Sequence, residues 1–369
     1  MLERSALSVP KAIERVGGLQ TQYAPSAYLG LWSRLRSFEH AALTRALERR
    51  SVIQGTLLRI TIHMVSAGDY WPFVEAIRRA RRAWWLGATS RRAVEREVIS
   101  AAERTRTLLA DGPRPRRELL QALGVDGSTW NGIGLWVDLV RVPPSGTWDR
   151  RSADLYGLAE DWVGPPAATE QQGIELLVRR YLAGFGPASI KDLVSWSGLP
   201  PASLGPALGR ISLRRFRDPD GGELVDLPRA PLPDPATPAP VRFLPTWDAT
   251  LLVHARRTQI LPERFRPRIF STKTPHSAPT FLVDGQVAGT WRVEADAIRI
   301  TPFERLSRGT ERELDEEAER LAAFHGATRV DWIAPSTRSG RPGPGRNGTA
   351  RRSTRGRARD RSPWERHSH

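Results

Sequence analysis

The chain of 369 residues is 40% hydrophobic, has no cysteine and carries a formal net charge of +16. The absence of cysteine excludes disulfides, thiolate nucleophiles and most structural zinc sites, and the lack of a long apolar run or an apolar signal segment predicts a cytoplasmic protein. The basic charge favours a polyanionic partner, above all nucleic acid. Half of this charge lies in residues 335–369, which contain ten arginines and two acidic residues.

Residues 1–110 predict helices followed by a β-hairpin. The first helix is predicted to start at Ser8 and to end at Gly17-Gly18. Two more short helices follow: one begins at Pro25, and Ser37 caps the other. Hydrophobic and polar residues then alternate over residues 52–65, as on the two faces of a strand. The polar face of this hairpin holds Arg59, Thr61 and His63. Helices followed by a hairpin are typical of a winged helix, and two long helices complete this first unit.

The same order of elements recurs twice downstream. Residues 111–165 predict two helices and a strand pair around VRVPPSGTW, and residues 166–228 predict three helices and a hairpin closed by DPDGG. A proline-rich linker, residues 229–240, leads to a C-terminal α/β region, residues 241–327, in which Asp284-Gly285 predicts a type I′ turn. The predicted fold class is therefore α+β and mainly helical, with tandem winged-helix units followed by a smaller C-terminal β-containing region.

Two glutamines, Gln20 and Gln22, lie two residues apart after the first helix. At this spacing both side chains point to the same side where the backbone is extended or turning, and their carboxamides can then hold one water molecule. Carboxamides are not basic, so such a pair suits a reaction in which water is oriented and a developing positive charge is faced, without a strong base. The residues alone leave open both this catalytic interpretation and a plain polar turn.

Six stretches of the sequence resemble one known family in the same order. They are GGLQTQYAPSAYLGLWSRL from Gly17, GTLLRITIHMVSAGDY from Gly55, VRVPPSGTW from Val140, YLAGFGPASIKDLVSWSGL from Tyr181, FLPTWDATLLVHARR from Phe243 and FLVDGQVAGTW from Phe281. Together, over residues 5–325, they resemble the AlkZ/YcaQ-like family of winged-helix DNA glycosylases, which remove N7-alkylated purines and some interstrand crosslinks. Members of that family usually have a further helix before the first one here, so this sequence is expected to begin late relative to them.

The resemblance implies a catalytic role for Gln20 and Gln22, whose carbonyl oxygens would orient water and face the positive sugar. It also implies DNA contacts, and the candidates are Tyr23, Arg59, Thr61, His63, Arg256 and Arg257. Tyr23, beside Gln22, is the candidate for stacking on a base, Arg59 for binding a phosphate and His63 for lying near the lesion. The alternatives are a solvated wing surface for the hairpin residues and plain surface charge for the two later arginines.

The remaining motifs do not support a metal site or a nucleotide-binding site. The seven histidines lack metal-ligand spacing, so neither a metal nor a cofactor is expected. GPGRNG at Gly343–Gly348 matches a nucleotide-binding pattern, but no strand is predicted before it and no helix after it, and its surroundings in residues 335–369 predict disorder. Asp248 is expected to be a buried structural carboxylate, with a contact to Arg257 as the alternative.

The predicted activity is that of a monofunctional glycosylase, because three lysines in the whole chain make a Schiff-base lyase step improbable. The expected partner is double-stranded DNA with alkylated purines, bound by a nucleoid-associated monomer without any membrane. The alternative class is a non-enzymatic winged-helix DNA-binding protein or transcription regulator, which the repeated units and the basic charge favour. A lesion-binding protein that has lost catalysis is a third hypothesis.

Overall fold

A computed structural model of the chain describes residues 3–87, 95–255, 258–270 and 277–334. Up to residue 335 the chain forms one compact unit. In the described part, no helix is both long and apolar enough to cross a membrane. The predicted basic pair Arg256 and Arg257 and the predicted disordered tail, residues 335–369, lie outside the described residues.

The N-terminal part of the chain contains short helices, a hairpin and two long helices, in the predicted order. These elements are α1 (Val9–Arg15), β1 (Leu19–Gln20), α2 (Pro25–Trp32), α3 (His40–Glu48), β2 (Val52–Thr56), β3 (Ile62–Ser66), α4 (Ala67–Gly87) and α5 (Glu95–Leu109). The prediction that Ser37 caps α3 is wrong, because Ser37 has a positive φ of 48° in a turn and Glu39 occupies the N-cap position. The backbone N–H of Asp69 donates to Ser66 Oγ at 3.3 Å, a capping contact at the start of α4.

The middle of the chain repeats helices and paired strands. Its elements are β4 (Arg114–Pro115), α6 (Arg116–Leu123), α7 (Gly127–Ile133), β5 (Leu139–Arg141), β6 (Leu155–Leu158), α8 (Ala159–Val163), α9 (Glu170–Phe185), α10 (Ile190–Ser197), α11 (Pro201–Arg210), β7 (Arg214–Arg217) and β8 (Glu223–Asp226). Capping boxes at Thr169 and Ser189 start α9 and α10, since each side chain accepts from the backbone three residues on. The second of the two helices predicted for residues 111–165 is the short α7, which ends at Ile133.

The C-terminal part is built on a five-stranded sheet. Its elements are β9 (Arg242–Leu244), α12 (Ala249–Leu252), α13 (Arg266–Ile269), β10 (Thr280–Val283), β11 (Gln286–Glu294), β12 (Ala297–Pro302), α14 (Arg308–His325) and β13 (Arg329–Trp332). The strand order is β13-β12-β11-β10-β9. Asp284 and Gly285 both have positive φ, 49° and 74°, between β10 and β11, which confirms the predicted type I′ hairpin.

A six-stranded sheet joins the first two predicted units. Its order is β1-β3-β2-β5-β6-β4, and β2 pairs antiparallel with β5 at Gln54 and Arg141. A hydrophobic cluster likewise combines α1, α2 and α3 with β9 to β12 and α14. The predicted mixture of helix and sheet is confirmed, but these elements share sheets and cores across the predicted unit boundaries. A serial arrangement of winged helices therefore stays a prediction.

Candidate functional site

The two glutamines lie at one edge of the six-stranded sheet. Gln20 ends β1, where it pairs antiparallel with His63 of β3, and the next backbone N–H, that of Thr21, donates to the Ile62 carbonyl at 2.8 Å. The backbone is thus extended, and Thr21, only 1% exposed, points into the protein. Gln20 is half-buried and Gln22 is exposed. As their spacing predicts, the side chains of both glutamines emerge on the side opposite Thr21.

A chain of hydrogen bonds links the amides of these glutamines. Gln20 Nε2 donates to Gln22 Oε1, and Arg59 Nη2 donates to Gln20 Oε1 at 2.8 Å. A carbonyl oxygen has two lone pairs, so one hydrogen bond leaves each amide oxygen able to accept a second. The arrangement can therefore bind a water molecule through one or both oxygens.

Arg59 lies at the tip of the hairpin between β2 and β3, where Arg59 and Ile60 both have left-handed backbone conformations, with φ of 53° and 57°. The tip is closed by a hydrogen bond from Leu57 N to the Thr61 carbonyl at 2.9 Å. From this position the guanidinium reaches back to Gln20 and also donates to the carbonyl of Trp196 near the end of α10. The predicted strand face of Arg59, Thr61 and His63 is wrong for Arg59, which lies in the turn, whereas Thr61 is extended directly before β3 and its Oγ1 lies 3.3 Å from His63 Nδ1.

His63 is buried beside the glutamine pair and does not face solvent. Its side chain is 3% exposed, and its Nδ1 lies 3.0 Å from the Thr61 carbonyl oxygen, to which the neutral ring donates. Burial, followed by the nearby charge of Arg59, lowers the pKa of His63 to about 3. The predicted direct contact of His63 with DNA does not fit this burial. Thr61 is half-buried, and its hydroxyl donates to the Leu58 carbonyl at 3.0 Å.

Tyr23, next to Gln22, is 43% exposed. Arg151 Nη1 donates to the Tyr23 hydroxyl at 3.1 Å, and the guanidinium carbon lies 5.9 Å from the ring centroid. Arg151 is itself exposed and follows β5 in the loop that leads to β6. The structure thus adds to the site a cation that no sequence motif marks, since Arg151 and Tyr23 are 128 positions apart.

A buried glutamine supports the pair from behind. Gln54 on β2 is 1% exposed, and its Nε2 donates to the Thr21 hydroxyl at 3.1 Å. A Cβ atom on Gly146 would collide with the Gln54 amide, so the loop after β5 packs closely on it. Gln54 and Gly146 were not singled out in the sequence, where nothing distinguishes a supporting amide from an ordinary strand residue.

Asp248 is a structural carboxylate, as expected. It is 4% exposed, and its two oxygens accept hydrogen bonds from the Arg34 guanidinium at 2.7 and 2.9 Å. It also caps α12 by accepting from the Thr250 N–H at 2.9 Å. Burial acts to raise the pKa of Asp248, but the Arg34 charge and these hydrogen bonds outweigh it and lower the pKa. Among the described residues, no cluster of three or more His, Asp or Glu is placed to hold a metal ion.

Comparisons with known proteins bear on the family and the fold of the chain. A family model described as DNA glycosylase AlkZ-like matches residues 13–324. A Streptomyces sahachiroi protein named interstrand DNA cross-link repair glycosylase is 22% identical over 361 residues, with 89% of this chain and 93% of the relative covered. The solved structure of Streptomyces sahachiroi DNA glycosylase AlkZ is similar with a TM-score of 0.76 at 20% identity, covering 90% of this chain and 94% of that one. At this identity the structural likeness concerns the fold alone.

Proposed function

Because the chain belongs to the AlkZ-like family of DNA glycosylases, we propose that it hydrolyses the N-glycosidic bond of N7-alkylated purines in double-stranded DNA. The observation that carries this proposal is the accessible, hydrogen-bonded pair Gln20 and Gln22. The neighbouring His63 supplies no strong base to the pair, since it is buried and its pKa is low. The site therefore suits a substrate that needs an oriented water molecule and no deprotonation of that water before attack.

An N7-alkylpurine meets this requirement. The alkylated base is cationic, so when the C1′–N9 bond breaks, the bonding electrons pass to the ring and the base leaves neutral, without a general acid. Water bound by the carbonyl oxygens of Gln20 and Gln22 then forms the O–C1′ bond and releases its proton to solvent. The same oxygens face the positive sugar and stabilise it. Unmodified purines lack the charge and are left intact.

The substrate range extends in this proposal to purines joined across the two strands. The Streptomyces sahachiroi relative is named an interstrand DNA cross-link repair glycosylase. A crosslinked base is tethered to both strands and cannot be swung fully out of the helix, as flipping enzymes require. Gln22 and Tyr23 are exposed on the protein surface, so a reacting sugar can approach them without entering a closed pocket. The enzyme acts as a monomer and leaves an abasic site, as a monofunctional glycosylase does.

The direct test is release of labelled N7-methylguanine from duplex DNA. We expect Gln20→Ala and Gln22→Ala each to slow release by about a hundredfold, because removal of one preorganised electrostatic contact has an effect of this order. Gln121→Ala, which truncates an exposed glutamine on α6, is the matched control and should release the base at the wild-type rate. Equal release by all four proteins would remove the glutamines from the mechanism. Tight DNA binding by a wild type that releases no base would favour a non-enzymatic DNA-binding protein.

A further inference from the structure

We propose that Arg59 is a positioning residue that fixes the orientation of both glutamine amides, in place of the phosphate contact that the sequence suggested. This inference rests on the proposed function of Gln20 and Gln22. Its basis is the 2.8 Å hydrogen bond from Arg59 Nη2 to Gln20 Oε1 and the second bond from Gln20 Nε2 to Gln22 Oε1. The three side chains form one directional chain that begins at the guanidinium.

Direction matters because a glutamine amide is nearly symmetric in shape. Two neighbouring amides can pair with either one donating, and the two pairings expose opposite dipoles to a bound water. A guanidinium has only donors, so its contact with Gln20 requires the oxygen of that amide to face Arg59 and the nitrogen to face Gln22. Gln22 must then accept through its own oxygen. Arg59 thereby fixes which way both amides face, so that the second lone pair of each oxygen lies at a defined position, able to accept from water and face a positive sugar.

The fold holds the guanidinium in this place from two sides. Two consecutive left-handed residues, Arg59 and Ile60, turn the hairpin tip back over Gln20, and the conformation is unfavourable for residues with a Cβ. On the other side, the guanidinium donates to the Trp196 carbonyl in the last turn of α10, where helix carbonyls lack intrahelical partners and favour a cation. A residue whose role was to contact phosphate would need its charge directed away from the protein.

The first experiment separates positioning from phosphate binding. Arg59→Gly removes the guanidinium and suits the left-handed backbone, while Arg59→Ala removes it with the strain retained. We expect both variants to release N7-methylguanine about ten- to a hundredfold more slowly under single-turnover conditions at saturating enzyme. Their affinity for DNA and its dependence on salt should match wild type. Arg49→Ala, at an exposed arginine after α3, controls for loss of one positive charge.

A phosphate contact predicts the opposite pattern. The release rate at saturation would stay at the wild-type value, binding would weaken, and the slope of log affinity against log salt would fall by about 0.9. That result would overturn the positioning role. Since the glycine variant keeps the backbone conformation, it decides the question even if the alanine variant fails to fold.

A double-mutant cycle tests whether Arg59 acts through Gln20. If it does, adding Arg59→Gly to Gln20→Ala should slow release by less than about twofold further, because the two residues form one unit. Fully multiplicative effects would overturn the inference. If the wild type and Arg59→Gly release base at the same rate, the positioning role is refuted and the proposed function is unaffected. Failure of the wild type to release any base refutes the proposed function, and this inference with it.

Discussion

At the scale of single residues, Tyr23 shows how the surface beside the glutamine pair is organised. Its ring is 43% exposed, and Arg151 holds its hydroxyl by a hydrogen bond of 3.1 Å. An aromatic ring fixed at the surface beside Gln22 offers a platform on which a base can stack, and base–aromatic stacking contributes roughly 1–3 kcal/mol. The charge of Arg151, next to that ring, is suited to a DNA phosphate.

We therefore expect Tyr23→Ala to weaken binding of duplex DNA with an N7-alkylpurine by about tenfold, from loss of a stacking contact. Tyr23→Phe keeps the ring and should bind nearly as wild type does. Fluorescence anisotropy at fixed salt measures the difference. Trp332→Ala, which truncates a surface tryptophan that is 37% exposed, is the control. Wild-type affinity in Tyr23→Ala would exclude stacking by this residue.

At the scale of secondary structure elements, a buried ion pair fastens α2 to the segment around α12. Arg34, just after α2, and Asp248, the N-cap of α12, are 6% and 4% exposed, and their bidentate contact spans 214 positions of sequence. Arg34 also donates to the Gly30 carbonyl at 2.9 Å. Because α2 directly follows the glutamine pair, this contact anchors the chain on one side of the site.

Truncation of one partner leaves the other charge buried and unpaired. We expect Arg34→Ala to lower the free energy of unfolding by about 3–5 kcal/mol, measured by urea denaturation. The control is Arg264→Ala, which breaks an ion pair with Glu304 in which the side chains are 64% and 62% exposed, and should change stability by less than about 1 kcal/mol. Similar small losses in both variants would show that the Arg34–Asp248 pair contributes little to stability.

At the scale of the whole molecule, an aromatic and histidine cluster joins the N-terminal helices to α14. The His40 ring lies 4.0 Å, centroid to centroid, from both Trp148 and Phe324, and His325 lies 5.2 Å from Trp148. Burial lowers the pKa of His40, and burial together with the charges of His40 and Arg151 lowers the pKa of His325 to about 4. Near pH 7 the rings of His40 and His325 are therefore neutral in the folded protein.

This cluster makes stability depend on pH. An unfolded histidine titrates near 6.5, so below that pH the unfolded chain binds protons that the folded chain does not. The contribution is complete above about pH 6.5 and is lost as pH falls towards 4, the pKa of folded His325. We expect the urea midpoint to be lower at pH 5 than at pH 7.5, and His325→Phe to reduce that difference. If His325→Phe loses as much stability between pH 7.5 and pH 5 as the wild type does, His325 is excluded as a source of the pH dependence.

Several local elements and the family were readable from the sequence. The three helices predicted over residues 166–228 and the turn at Asp284-Gly285 depend on capping, proline and glycine, which act over a few residues. The shared side of Gln20 and Gln22 follows from their spacing in an extended backbone. The family was recognisable because its motifs occur as short stretches in a fixed order, and the family model confirms it.

Only the tertiary structure decided how the site is assembled. It brought Arg59 to Gln20 and buried His63 against expectation, and it placed Arg151 beside Tyr23 and Gln54 behind Thr21. It also merged the first two predicted units into one sheet. These contacts join residues up to 128 positions apart. Periodicity and turn chemistry report on near neighbours, whereas such partners are set by the packing of whole elements, which no local pattern encodes.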